Sequence, residues 1–406
     1  MKQRRPILVL AAWLALLVGV AEVAWAAAEE WDWSREAAIG KAAEASIAER
    51  ATLVDNQEAV ARIERVLGAM VPHTEYAEAQ YKVSLIEDAE PNAFAVPGAV
   101  ERPDGTYGPG GHIYVTTGLL RLVRSDHELA GVLAHEVVHQ CHHDVIRQME
   151  REAKAQQKSA LLTALVAALA VGGEADTATL VYLAGEAVRI AWQHEYSIGL
   201  EMEADDTAVK YLTSGPYSPV GLLTLLEALS SSPAAFQPEP GIFRTHPDYP
   251  ERIVNLIRVL HREGIPINRR LATNAPGPEV AQAEVSGTVL YQVKVEQVVV
   301  FSAPAQAQEQ QAALDRAETT AGTLGVLMRE NLESYEVQPV VGEDGTVGLE
   351  ARGRRIMTVT AEDGSFFGQP PLQLAMTYRE ALREAFWLER FRRNSAVEAG
   401  ESGGTT

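Results

Sequence analysis

The chain has 406 residues, 55 acidic against 35 basic side chains, a formal charge of -20 and one cysteine. An apolar content of 47% with 22% charged residues excludes global disorder and allows two domains or more. The acid excess has the wrong sign for a nucleic-acid backbone or for anionic lipid, and one thiol cannot form an internal disulfide.

Lys2, Arg4 and Arg5 precede an apolar run from Ile7 to about Val20, and Ala24-Trp25-Ala26 follows with small residues at both cleavage positions. This order predicts a signal peptide over 1–26 and an exported, periplasmic chain. An uncleaved membrane anchor is the alternative. No cysteine follows the apolar run, so a lipoprotein anchor is not expected. Residues 30–70 carry helical spacing. Tyr81–Ile86 alternates as a strand, Asn92–Gly98 reads as a second extended piece, and the glycines and prolines of 99–110 predict a loop. His112–Thr117 reads as a third strand. A helix is predicted from Ser125 or Asp126 to about Glu150, with Ser125 and Glu128 forming a capping box.

Ser159–Val171 is apolar but shorter than the ~20 residues of a membrane span, which predicts a buried or surface-lying helix. Helices are predicted over 177–192, 197–213 and 248–260, with a proline-rich loop over 232–250. Thr273–Gly287 has two prolines and two glycines and reads as a linker. Beyond it the pattern predicts a strand over 289–301, a helix over 305–332, strands near 335–341, 347–351 and 355–360, and a helix over 372–393. The tail 394–406 is small, polar and expected to be disordered. The predicted organisation is a larger first domain over 27–272, a linker over 273–287 and an α+β accessory domain over 288–393. No repeat with a period of 20–50 residues is visible.

The chemistry sits inside the capped helix. His135-Glu136-Val137-Val138-His139 places two imidazoles four residues apart on one face, with Glu136 offset by one residue. This spacing suits two ligands of one metal ion and a general base. The helix in front, Leu129–Ala134, is apolar, and histidines buried there without a partner would be costly. Downstream, Glu201 and Asp205 share a helix face and can offer a third ligand. His142 and His143 lie further along the helix, where they read as histidines past the site. Cys141 reads as a buried structural thiol. His194-Glu195 has no histidine at 198 and is no second motif.

Four blocks in order, NAFAVPG with GHIYVTTGLL, ELAGVLAHEVVH, YSIGLEMEADDTAVKYL and THPDYPERI, resemble the zinc peptidases of family M48. That family includes HtpX-like and CAAX prenyl endopeptidase-like enzymes and periplasmic outer-membrane quality-control members. The resemblance covers about residues 35–260. It implies a mainly helical, zincin-like α+β fold with a small sheet. It implies one Zn²⁺ per chain, held by His135, His139 and Glu201, with Glu136 as general base. It also implies that Asp205 orients a histidine ligand and that His246, Pro247 and Arg252 border the metal. His246 would then cap the metal at rest or stabilise the oxyanion. Two departures stand out: Ile198 replaces an arginine, and Asp144 stands where many members have a histidine. Residues 99–110 read as an insertion beside the substrate path.

The expected activity is hydrolysis of unfolded or misassembled exported proteins. The substrate would lie against an edge strand made of His112, Ile113, Tyr114, Val115, Thr116 and Thr117. Expected partners are protein or peptide substrates and an envelope or outer-membrane protein, with no nucleic acid. The alternative is a non-catalytic, chaperone-like protein with structural zinc, which an intact Glu136 disfavours.

Overall fold

The computed structural model describes residues 31, 33–155, 177–193, 196–230, 246, 249–305, 309–342 and 346–395. The expected signal peptide, the apolar run 159–171, His194-Glu195, most of the loop 232–250 (Pro247 included) and the tail from 396 lie outside them. Among the described residues no helix is long and apolar enough to cross a membrane.

The first unit is a three-layer arrangement. Helices α1 (Trp33–Arg50) and α2 (Gln57–Met70) precede strands β1 (Gln80–Ile86), β2 (Ala93–Glu101) and β3 (Tyr107–Thr116). The strand order is β1-β3-β2, with β1 and β3 parallel and β2 and β3 antiparallel. Alternation along the strands sends Ala93, Ala95, Ile113 and Val115 to one face and Phe94, Val96 and Tyr114 to the other. The first face joins the core around helix α4 (Asp126–Cys141); the second packs with α1, α5 (Asp144–Ala155) and α6 (Thr177–Gln193). Short α3 (Thr117–Leu122) links β3 to α4. Helices α7 (Ile198–Ser214), α8 (Val220–Ser230), α9 (Tyr249–Arg262) and α10 (Arg269–Ala272) complete the unit around α4.

Three expectations are corrected here. The stretch 99–110 is not a loop: β2 and β3 pair from Ala93↔Val115 out to Glu101↔Tyr107, and only the turn at 102–106 is irregular, with Gly105 at φ 81°. Gly108 and Gly110 lie within the ladder, and at neighbouring Gly98 a Cβ would stand 2.9 Å from the Gly111 Cα. His112–Thr117 is therefore no edge strand. β3 is the middle strand, and both of its edges are taken by β1 and β2. It stops at Thr116, whose hydroxyl accepts from Leu119 N–H and starts α3, so Thr117 is helical. The outer strands are β1 and β2. The long helix expected to reach Glu150 is also broken, because His143 takes φ 56° and separates α4 from α5.

The second unit holds two antiparallel sheets, β4-β5-β6 and β7-β8-β9. The first comprises β4 (Glu279–Val285), β5 (Thr288–Val295) and β6 (Val298–Ala305), followed by α11 (Gln310–Arg329). The second comprises β7 (Gln338–Val341), β8 (Val347–Ala351) and β9 (Arg354–Val359), followed by α12 (Ala361–Phe367) and α13 (Pro371–Ser395). One core built on Phe301, Leu324, Leu349 and Leu382 joins both halves. The expected linker 273–287 contains β4. Ser286 and Gly287, at φ 53° and 77°, form the two-residue hairpin turn between β4 and β5. The single strand expected over 289–301 is likewise a hairpin, turning at Glu296 and Gln297 with φ 52° and 73°.

The units meet through α10. Arg270 is buried, donates to both carboxylate oxygens of Glu389 at 2.9 and 2.8 Å and to Leu332 O, and lies 4.4 Å from the Phe386 ring centroid. A cavity of about 480 Å³ opens beside this contact. Its guanidiniums are already matched: Arg124 with Glu128, Arg269 with Glu227, Arg270 with Glu389 and Arg390 with Glu333.

Candidate metal centre

Helix α4 begins where Ser125 accepts from Glu128 N–H at 3.1 Å, while the Glu128 carboxylate takes the Arg124 N–H at 2.7 Å. From Glu128 to Cys141 every side chain is buried. Close approach to α8 fixes its position. A Cβ on Gly131 would stand 2.7 Å from the Leu222 Cα, and one on Gly221 only 2.1 Å from His127 O. His135 and His139, one turn apart, thus sit in a packed core with their Nε2 atoms 3.1 Å apart.

Helix α7 brings Glu201 against them. Its carboxylate lies 3.3 Å from His135 Nε2 and 3.6 Å from His139 Nε2. His246 closes the group, with Nδ1 3.0 Å from Glu201 Oε1 and 3.3 Å from His135 Nε2. These four residues all lie within one ligand-sized cluster and all are buried. The spacing tests whether a metal fits. A tetrahedral ion at ~2.0–2.1 Å from its ligands has donor–donor edges of about 3.3–3.4 Å. The observed separations of 3.0–3.6 Å match that figure.

The surroundings orient each donor. Asp205 Oδ1 receives His135 Nδ1–H at 3.0 Å, which turns His135 Nε2 toward the cluster. Arg252 is 1% exposed and forks onto Asp205 at 2.8 and 2.7 Å. It reaches Glu201 at 2.7 Å and also donates to His246 O at 3.2 Å. It therefore ties the third ligand, the His135 orienter and the His246 backbone together. Burial works against a charged Glu201, yet the facing His246, Arg252 and His135 hold its carboxyl well below the usual range. Burial likewise opposes charge on His139, but Asp144 and Glu201 raise it to about 10. Cations are thus drawn to this pocket, and a divalent ion satisfies the same demand.

Glu136 points along the outer edge of β2. Its Oε2 accepts from Ala95 N–H at 3.2 Å. Its Oε1 is buried without a hydrogen-bond partner, and His246 Nε2 lies 3.5 Å away. Further along this edge the Pro97 carbonyl packs on α1, where a Cβ on Gly40 would come within 2.2 Å of it. The Asn92 side-chain amide, 1% exposed at the head of β2, also has no partner for either atom. An apolar cavity of about 10 Å³, room for a single water, lies beside Glu136 and His246 against Leu222, Leu225, Leu226 and Leu229.

The remaining expected residues separate cleanly. His112 lies across the sheet on Ser84 and Tyr114, at 2.9 and 3.2 Å, and Ile113, Tyr114, Val115 and Thr116 fill the core or the ladder. His142 faces Glu75 at 3.4 Å. Burial pushes the Cys141 thiol up to about 12, which makes it an inert core group. One neighbour of the centre, Tyr196, escaped the sequence reading, and a second, Asp144, stood there only as a departure from the family pattern. Tyr196 stacks on His139 with centroids 4.5 Å apart. Asp144 Oδ2 receives His139 Nδ1–H at 2.8 Å.

The sequence model of a family described as Peptidase family M48 matches residues 57–259. A second, described as a domain of unknown function (DUF8459), matches residues 290–387. The mitochondrial metalloendopeptidase OMA1 of Schizosaccharomyces pombe (strain 972 / ATCC 24843) is 24% identical over 191 residues, 47% of this chain and 50% of that protein. The chain thus spans about half the length of that relative.

Proposed function

This chain belongs to peptidase family M48, whose members are metal-dependent peptidases, and on that premise we propose that it is a zinc endopeptidase of exported, unfolded or misassembled proteins. The observation that carries the chemistry is the four-donor cluster with tetrahedral spacing beside a buried carboxylate whose Oε1 is unpartnered. Two imidazoles and a carboxylate, with His246 as a fourth donor, suit zinc.

Zinc, when bound, polarises the scissile carbonyl and acidifies water. The chain's own residues supply the rest. Glu136 takes a proton from water at Oε1 and hands it to the leaving amine. Ala95 N–H steadies the other oxygen of that carboxylate at 3.2 Å. Asp205 and Arg252 hold His135 and Glu201 in place. His246 spans the ligand carboxylate and the base, so it covers the reacting space at rest and must swing aside for a peptide to enter. The substrate strand in this reading is β2, with the Asn92 amide facing a peptide group. Recognition through backbone hydrogen bonds explains tolerance of many side chains, which fits unfolded clients.

Export and envelope quality control rest on the order of charged, apolar and small residues over 1–26. An envelope protein as partner remains part of this proposal. Casein cleavage by the full chain tests the activity: a chelator stops it and added zinc restores it. Undiminished cleavage in excess chelator would contradict the reading. N-terminal sequencing of the secreted chain should begin at Ala27; an intact Met1 would contradict export by cleavage.

A further inference from the structure

We infer that Asp144 is a positioning residue for the second metal ligand, and that α1 holds it there through Glu36 and His143. The inference rests on the metal-site reading above. Asp144 is 2% exposed and its Oδ2 lies 2.8 Å from His139 Nδ1. A carboxylate at that nitrogen fixes the tautomer, turns the Nε2 lone pair toward Glu201 and raises its basicity. His135 has the same device in Asp205. Both histidine ligands are therefore backed by a carboxylate.

Asp144 reaches His139 only because the chain turns sharply between them. His143 adopts φ 56°, a conformation that a non-glycine residue holds only when its surroundings enforce it. The enforcement comes from α1 and from Trp31, two residues ahead of it. His143 Nδ1–H donates to Glu36 Oε1 at 2.7 Å, and its ring stacks on Trp31 at 3.6 Å. Trp31 Nε1–H donates to the same oxygen at 3.1 Å. Gln140 donates to Glu36 Oε2 at 3.2 Å and pins the last turn of α4. Glu36 is fully buried. It thus fixes the residues on both sides of the break, and the turn they make delivers Asp144 to His139. Residues 31–50 precede the stretch matched by the peptidase family, yet they complete its metal centre.

Zinc affinity, measured on the full chain by competition with a chromophoric chelator, tests this without substrate. Asp144→Ala should weaken zinc binding by about 10–100-fold. Asp144→Asn, which keeps an acceptor without charge, should recover part of the loss. The visible spectrum of the cobalt-substituted protein should change in Asp144→Ala, which a merely structural role would not require. Glu36→Gln should weaken zinc binding several-fold in the wild-type background and add nothing in the Asp144→Ala background, the signature of one coupled unit. Circular dichroism of the metal-free proteins checks the fold, and Asp144→Asn carries the comparison should Asp144→Ala fail to fold. Unchanged affinity in both Asp144 variants, or a Glu36→Gln loss that adds in full to Asp144→Ala, would overturn the inference. Casein cleavage by the wild type remains the separate check on the peptidase reading.

Discussion

At the scale of residues, the centre is a small anionic box. Glu201, Asp205, Asp144 and Glu136 surround two imidazoles of α4, and Arg252 is the fixed cation among them. Without metal, protons meet the demand of the carboxylates. His139 is held at about 10, above the ~6.5 of an unfolded histidine. A raised folded-state value stabilises the fold fully below ~6.5, and the contribution is lost as pH rises through about 10. The melting temperature of the metal-free chain should therefore fall between pH 7 and pH 10, and that of the zinc-loaded chain should fall less. Equal slopes in scanning calorimetry would contradict this. Zinc uptake at pH 7–8 should also release protons, seen as a dependence of binding heat on buffer ionisation.

Among the elements, α4 carries the chemistry and α8 locks it. The two helices touch without side chains at Gly131 and Gly221. Gly221→Ala pushes a methyl into the His127 carbonyl, 2.1 Å away, and should destabilise the protein by about 1–3 kcal/mol in denaturant titrations. It should also lower zinc affinity, because the shift is passed along α4. An unchanged midpoint would show that the contact yields. This scale also divides what the sequence displays from what it hides. His135, Glu136 and His139 are legible because one helix turn is a local geometry. Glu201 and Asp205 are legible for the same reason. The central place of β3 is not, since its parallel pairing with β1 joins segments some thirty residues apart through long-range contacts. The break at His143 is hidden too: no glycine marks it, and Glu36 and Trp31 impose it from more than a hundred residues away. Asp144 reads as a departure in a list of residues and becomes an orienter only after that turn forms. His246 is visible as a histidine before a proline, but its place over Glu201 depends on Arg252 holding its carbonyl.

In the whole molecule, the accessory domain is fastened to the peptidase domain. Arg270 and Glu389 form a buried ion pair across the junction, backed by Asn268 on the Arg329 carbonyl at 2.5 Å. Arg270→Ala leaves Glu389 buried without its cation and should cost about 3–5 kcal/mol of folding stability. Replacing both by methionine should cost less. The denaturation profile checks this, and equal losses would mean that the pair is solvated in solution. β4 is hidden in the sequence because a Ser-Gly hairpin and a proline-rich approach share the composition of a linker, and β5 and β6 read there as one strand over 289–301.

Everything proposed for α4 turns on a metal-bound peptidase site with Glu136 as base. The most direct measurement pairs zinc content with casein cleavage for wild type and Glu136→Gln. About one zinc per chain is expected in both, with cleavage by Glu136→Gln reduced by about 10²–10⁴-fold. Wild-type cleavage rates in Glu136→Gln, with zinc retained, would contradict it.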